Sequence, residues 1–379
     1  MTSQIKQSAP YADYKLFSPV NLGPYKLSHR VVHAPTTRLR AEANDAPSEM
    51  MVKYYDQRAS AGGLIIVEST TVSVGGRGYY GAPGIYNDEQ IPAFKRIADA
   101  VHAKGGHLFL QLLHCGRQSH VDMTGGVAPV APSEVPYEGM SFTAQGWVPH
   151  SMHRALEIDE IHAIVEDFRA AAKRALAAGV DGVELHGANG YLPDQFLQDG
   201  TNKRTDIYGG SVENRARFML ELTQALISVW GANRVGVRIS PSGQWGSISD
   251  TNPEATFGYL TAELDKLGLA YLHIIEPRIK GDSTLHEDQD AVAAHTIRKT
   301  FKGTIIAAGG FDREQAEESI NKGDADLVAF GRFFSSNPDL PERLKNGYPL
   351  THYVRDAFWG GTETNYTDFP TYAQQLETV

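Results

Sequence analysis

Eight short runs rich in β-branched and aliphatic residues recur along the chain, with helical stretches between them: VVHAP (31–35), GLIIVES (63–69), HLFLQL (107–112), GVELH (182–186), VGVRI (235–239), YLHIIE (271–276), TIIAAG (304–309) and DLVAF (326–330). Strands that are apolar on both faces must be covered on both sides, and strands that alternate with helices form parallel sheets. A count of eight favours closure into a (β/α)8 barrel over an open doubly wound sheet. With 379 residues, the expectation is an α/β protein made of one TIM-barrel domain over 1–379.

The connecting segments support this reading. Ile161, Ile164, Val165, Phe168, Ala172, Ala175 and Leu176 fall at i, i+3, i+4, i+7 spacing, the pattern of an amphipathic helix, and Gly179 ends it. Ser211 is a suitable N-cap for a helix running to about Trp230, with Gly231 beyond it. Two segments depart from plain alternation. Residues 17–30, FSPVNLGPYKLSHR, read as a hairpin that plugs the N-terminal mouth, and 113–158, rich in Gly and Pro, is long enough to be an excursion or lid over the other mouth.

Composition excludes several classes of partner. A net charge of -10 without a Lys/Arg-rich block argues against nucleic acid or an anionic membrane, both of which need a basic face. No apolar run approaches the roughly 20 residues that span a bilayer, and MTSQIKQSAPYADYK lacks the apolar core of a signal peptide. The single cysteine, Cys115, cannot form an intrachain disulfide, so a reducing cytoplasm is the expected compartment. HCGRQSH (114–120) lacks zinc-ligand spacing, and no metal is expected. GRGYYG (76–81) matches a dinucleotide-binding pattern, but Pro83 and Gly84 stand where a helix should open, so its glycines are read as shaping a loop.

Chemistry in a barrel sits at the C-terminal ends of the strands, and those ends are polar here: Thr36 and Thr37, Glu68 and Ser69, Gln111, His186 with Asn189 and Tyr191, Arg238, and Glu276 with Arg278. Gly309-Gly310 and Gly331-Arg332 follow the last two strands, where barrels often hold a phosphate on bare backbone N–H groups, and Arg332 adds a bidentate partner. Gln111 and Arg238 suit the edge of a planar, hydrogen-bonding ligand.

HGANGYLPDQFLQDGTNKRTDIYGGSVENRARF, APTTRLRA, GYYGAPGIYNDEQ, FGRFFSSNPDL and NYTDFPTY together resemble the old yellow enzyme family of flavin-dependent ene-reductases, in its bacterial and plant branch, from about Leu16 to Tyr372. The resemblance implies a barrel that binds FMN, takes hydride from NADPH or NADH, and reduces small electrophilic alkenes such as enones, maleimides and nitroalkenes, or nitro compounds and nitrate esters. It implies that Thr37 contacts the flavin O4, that Gln111 and Arg238 bind its pyrimidine edge, that Pro35 and Ser69 add backbone contacts, and that Gly309, Gly310, Gly331 and Arg332 hold the phosphate. His186 and Asn189 would grip the substrate's activating oxygen and Tyr191 would donate the proton. Trp245 and Tyr366 are expected on the remaining wall, while Arg204, Asp206, Gly209 and Gly210 are read as structural.

A flavin-free phosphate-binding barrel enzyme, an aldolase or isomerase using Lys280 and Glu276, is the alternative. It leaves Gln111, Arg238 and the His/Asn/Tyr group without work. Monomer and homodimer stay equally open.

Overall fold

A computed structural model describes residues 10–277, 279–280, 283–284 and 292–377, with backbone only at 279–280 and 283–284. Eight parallel strands close into a barrel: Val31–His33, Leu64–Thr71, His107–Leu113, Gly182–Gly187, Val235–Ile239, Tyr271–Ile275, Ile305–Ala308 and Leu327–Phe330. Each pairs with its successor, and the eighth pairs with the first through Val328 with Val31 and Phe330 with His33.

Period-two alternation sorts the strand side chains into two cores. Val32, Leu64, Ile66, Phe109, Tyr271 and Leu327 point into the barrel. Their neighbours Val31, Ile65, Val67, Leu108 and Leu110 point outward, where Phe94, Ile97, Phe168 and Leu222 from the surrounding helices cover them. The helix Ile158–Ala177 buries Ile161, Ile164, Phe168, Ala172 and Ala175 as its periodicity demands. Leu176 departs from expectation: on the last turn of the helix it is 43% exposed. Ser211 caps Val212–Trp230 by accepting from the Asn214 N–H, and Gly231 ends that helix at φ +74°.

Strands Val20–Leu22 and Tyr25–Leu27 form the hairpin, whose Leu22 and Leu27 complete the interior cluster at the N-terminal mouth. Each buried leucine stabilises the closed end by about 1.5–3 kcal/mol. Gly23 makes the turn possible; at φ +52° a Cβ there would fall 1.9 Å from the Asn233 carbonyl oxygen.

The excursion between Leu113 and Ile158 carries a hairpin, Met140–Thr143 against Gly146–Pro149, and a short parallel ladder of Val130–Ala131 with Arg154–Ala155. The Tyr80 N–H donates to the Phe142 carbonyl at 2.7 Å, tying the hairpin to the loop after the second strand. Arg204 pairs with Asp206 at 2.6 Å and donates to the Pro132 and Leu156 carbonyls, one just past each strand of the ladder. RTDIYGG is thus a clamp for the excursion.

Arginines also fasten the C-terminal segment. Arg38 and Arg40, just past the first strand, both donate to the Phe358 and Ala357 carbonyls, and Arg58 donates to that of Tyr366. Among the described residues no helix is long and apolar enough to cross a membrane.

Candidate active site

The C-terminal strand ends open into a cavity of about 780 Å³, within the range of small-molecule and cofactor sites. Two kinds of surface line it. One is mostly backbone: Ala34 to Thr37, Ala308 to Gly310, and Gly331 with Arg332. The other carries Tyr79, His186, Asn189, Tyr191 and Trp245, and the excursion and C-terminal segment supply Trp147, Phe358 and Trp359 at the rim.

The glycine end has no room for side chains. Gly309 and Gly310 lie at φ +133° and +72°, and a Cβ on Gly309 would press within 3.0 Å of the Glu276 Cβ. A Cβ on Gly331 would meet the Thr36 hydroxyl at 2.9 Å. Bare backbone therefore faces the cavity beside Arg332, whose Nη1 donates to Tyr353 Oη at 3.3 Å. That combination suits an anionic tail.

The second strand reaches the site through a bulge. Its register with the third strand shifts between Val67 and Thr70, so Glu68 and Ser69 together oppose Gln111. Ile66 points inward, and without the shift Glu68 would too. Instead Glu68 accepts from the Arg38 and Leu39 N–H groups and Tyr55 Oη, and Ser69 turns to the cavity. Gln111 stands one step behind the wall, with Oε1 accepting from Ser69 at 2.5 Å and Nε2 donating to Glu184 at 2.6 Å. Arg238 lines the cavity, and its Nε is buried without a partner, a donor still short of its acceptor.

The loop after the fourth strand is held from three sides. The Asn189 N–H donates to Ser240 Oγ at 2.8 Å, Gln118 donates to the Asn189 and Gly190 carbonyls, and the Gly190 N–H donates to Asp194, whose carboxyl burial pushes up to about 7. Asn189 adopts φ +57°, which asparagine tolerates better than most residues. These bonds fix the backbone from which the side chains project.

Burial first, and then the charge of Arg238, hold His186 well below the usual imidazole range, so its ring is neutral. The Ala188 N–H donates to Nδ1 at 3.3 Å, which leaves the ring proton on Nε2. Tyr191 packs edge-on to His186, centroids 4.9 Å apart, and its hydroxyl lies 3.1 Å from that of Tyr79. Burial first, and Tyr79 next, raise the Tyr191 phenol well above its ordinary pKa, keeping it protonated.

Tyr366 does not line the cavity. It is fully buried behind the first strand, stacked on Tyr54 at 4.4 Å with the Arg38 and Arg40 guanidinium groups over its ring. Phe358 and Trp359, from the same segment, reach the wall in its place. Glu276 spends Oε1 on the Ala294 N–H at 2.9 Å. Arg278 and the side chain of Lys280 lie outside the described residues. Sequence reasoning missed Tyr79, which sits in the discounted GRGYYG stretch, and Gln118, whose glutamine carries no local signal. GRGYYG itself forms a loop in which a Cβ on Gly78 would strike Cys115 Sγ at 2.6 Å.

Comparison with known proteins gives this geometry a context. The sequence pattern of the NADH:flavin oxidoreductase / NADH oxidase family matches residues 15–351. The chain is 43% identical to 12-oxophytodienoate reductase 2 of Arabidopsis thaliana, over 98% of each chain. It resembles the structure of morphinone reductase in complex with tetrahydroNAD at TM-score 0.87 and 46% identity, covering 94% of this chain and 97% of that one. For the old yellow enzyme homologue from Zymomonas mobilis the values are 0.90 and 41%, over 94% and 99%.

Proposed function

Since the chain belongs to the NADH:flavin oxidoreductase / NADH oxidase family, in company with old yellow enzyme-like reductases, we propose that its barrel mouth binds FMN and reduces small electrophilic alkenes beside it. The observation that carries this reading is the sharing of one cavity by a glycine-and-arginine anion end and a neutral His/Asn/Tyr group. Bound FMN supplies hydride, taken from NADH or NADPH, to an electron-poor double bond. The tetrahydroNAD complex of morphinone reductase supports a nicotinamide donor.

The residues fit the cofactor. Gly309, Gly310, Gly331 and Arg332 would hold the phosphate, and Pro35 and Thr37, on the same backbone-rich wall, would hold the ring. The unsatisfied Nε of Arg238 is suited to the pyrimidine edge, with Ser69 and the amide of Gln111 behind it. A flavin-free aldolase or isomerase is set aside, because the family's chemistry is flavin-based and Glu276, the acid it needs, is bound to the Ala294 N–H.

On the substrate side, negative charge gathers on the carbonyl or nitro oxygen as the β-carbon accepts hydride. His186 Nε2–H and the Asn189 carboxamide are the donors for that oxygen, fixed in advance and costing no reorganisation. Tyr191 then protonates the α-carbon. Trp245 closes one side, and Trp147 and Trp359, 5.2 Å apart, meet across the rim. The working unit is one FMN-binding barrel domain, and the lone cysteine suits a cytoplasmic protein.

Two measurements test this. The purified protein should carry flavin, seen in its visible absorption, and lose that absorption's oxidised form on anaerobic addition of NADPH or NADH. Arg332→Ala should weaken FMN retention tenfold or more at an unchanged fold, because the arginine sits at the cavity mouth and not in either core. Equal FMN dissociation constants for the two proteins would remove Arg332 from the phosphate site.

A further inference from the structure

One buried acid inside the barrel has no part in the function just described. Glu184, on the fourth strand, is fully buried, and both of its oxygens are taken: Oε1 accepts from Gln111 Nε2 at 2.6 Å and Oε2 from His273 Nδ1 at 2.9 Å. His273, on the sixth strand, is opposite Arg238 on the fifth in the strand register. Glu184 is two residues below His186 on its own strand. One carboxylate thus lies beneath the substrate clamp and touches a member of the pair assigned to the flavin's pyrimidine edge.

The charge states follow from the bonding. A carboxylate can only accept, so the His273 proton is on Nδ1, and its Nε2 is left buried without a partner. Burial works against ionisation of Glu184, but His273, Arg238 and Gln111 outweigh it and hold the carboxyl below its ordinary range. Burial, against the pull of Glu184, lowers His273 below the usual imidazole range, so that ring is neutral. The cluster therefore carries one negative charge from Glu184 and one positive charge from Arg238. Glu184 is the group that most favours the charged guanidinium there. A fully buried carboxylate costs several kcal/mol of desolvation and persists where surrounding charge and hydrogen bonds repay it.

We propose that Glu184 is a positioning residue for the flavin: through Gln111 it aims the pyrimidine-edge contacts, and by partly neutralising Arg238 it limits how strongly the site favours reduced flavin. The inference rests on the reading of Arg238 and Gln111 as pyrimidine-edge residues. Two-electron reduction adds negative charge to that edge, and a guanidinium beside it stabilises the reduced form. Glu184, the buried anion that most favours the charged Arg238, opposes that stabilisation in a poorly screened interior. The consequence is a flavin that gives hydride up to its substrate more readily than an uncompensated arginine would allow.

The test is anaerobic redox titration of the FMN-loaded protein against a reference dye. Glu184→Gln keeps the shape and the bond to His273 but removes the charge. It should move the two-electron equilibrium toward reduced flavin by tenfold or more, about 30 mV in midpoint potential. His273→Gln, which keeps a donor to an ionised Glu184, should move it less than threefold. An unchanged or lowered potential in Glu184→Gln, or equal shifts in both variants, overturns the proposal. Should Glu184→Gln fail to accumulate, the double variant Glu184→Gln/His273→Gln pairs two neutral amides and should show the same rise. Arg238→Met separates this idea from its premise. If it changes neither FMN affinity nor potential, the pyrimidine-edge reading fails; if it changes them and Glu184→Gln does not, only the role of Glu184 does.

Discussion

Tyr191→Phe should lower the rate of reduction of a simple enone such as cyclohexenone by roughly two to four orders of magnitude, the contribution of a positioned general acid. The substitution removes one hydroxyl, the one lying 3.1 Å from Tyr79 Oη, and keeps the ring that packs edge-on to His186. Flavin reduction by nicotinamide should be unchanged, because Tyr191 has no part in it. A nitroalkene separates hydride transfer from proton delivery more sharply. Its nitronate is stable enough to leave the site unprotonated, so the variant should still oxidise its flavin at a near-normal rate and release nitronate. Stopped-flow measurement of both half-reactions, with product followed separately, provides the check. Equal losses on enone and nitroalkene, or a loss on neither, would show that the proton comes from elsewhere.

The double variant His186→Ala/Asn189→Ala should slow flavin reoxidation by an enone by a thousandfold or more. One donor to a developing oxyanion is worth about 100- to 1,000-fold, and two donors to one oxygen act as a unit whose losses do not simply add. FMN binding should survive, since both side chains face the substrate wall and not the glycine end. Phenols, which present a partly anionic oxygen, should give a long-wavelength charge-transfer band with the parent protein and none with the variant. A full-strength band in the double variant would dismiss the clamp.

The barrel was legible because its strands are buried on both faces, so each run of Val, Ile and Leu announced itself without tertiary information. Gly309, Gly310 and Gly331, after the last two strands, were legible for a related reason: glycine stands where a positive φ, as at 309 and 310, or crowding, as at 309 and 331, disfavours a side chain. Positions decided by small local irregularities were not. The register shift that turns Ser69 inward and Glu68 toward Tyr55 comes from pairing with the third strand, and nothing in GLIIVES marks it. Nothing in NYTDFPTY shows which way Tyr366 turns: Phe358 and Trp359 take the wall expected of it, and the arginines at 38 and 40 hold its ring in the core. The partner of Tyr191 was hidden in a glycine-rich stretch whose loop shape could be read but whose direction could not. Glu184 and His273, on strands separated in sequence, meet only after the barrel closes.

The guanidinium bonds from Arg38 and Arg40 to the carbonyls of residues 357 and 358 bear on how the protein is made. Synthesis runs from the N-terminus, and the first strand needs the eighth as its neighbour. Those two arginines stay without these carbonyl partners, and the rim without Phe358 and Trp359, until residues 357–359 have been translated. Contacts between such distant parts of a chain are slow to form, and no half-built barrel on the ribosome contains the complete cavity. Assembly of the site therefore waits on residues 357–359, made more than 300 residues after the arginines that hold them.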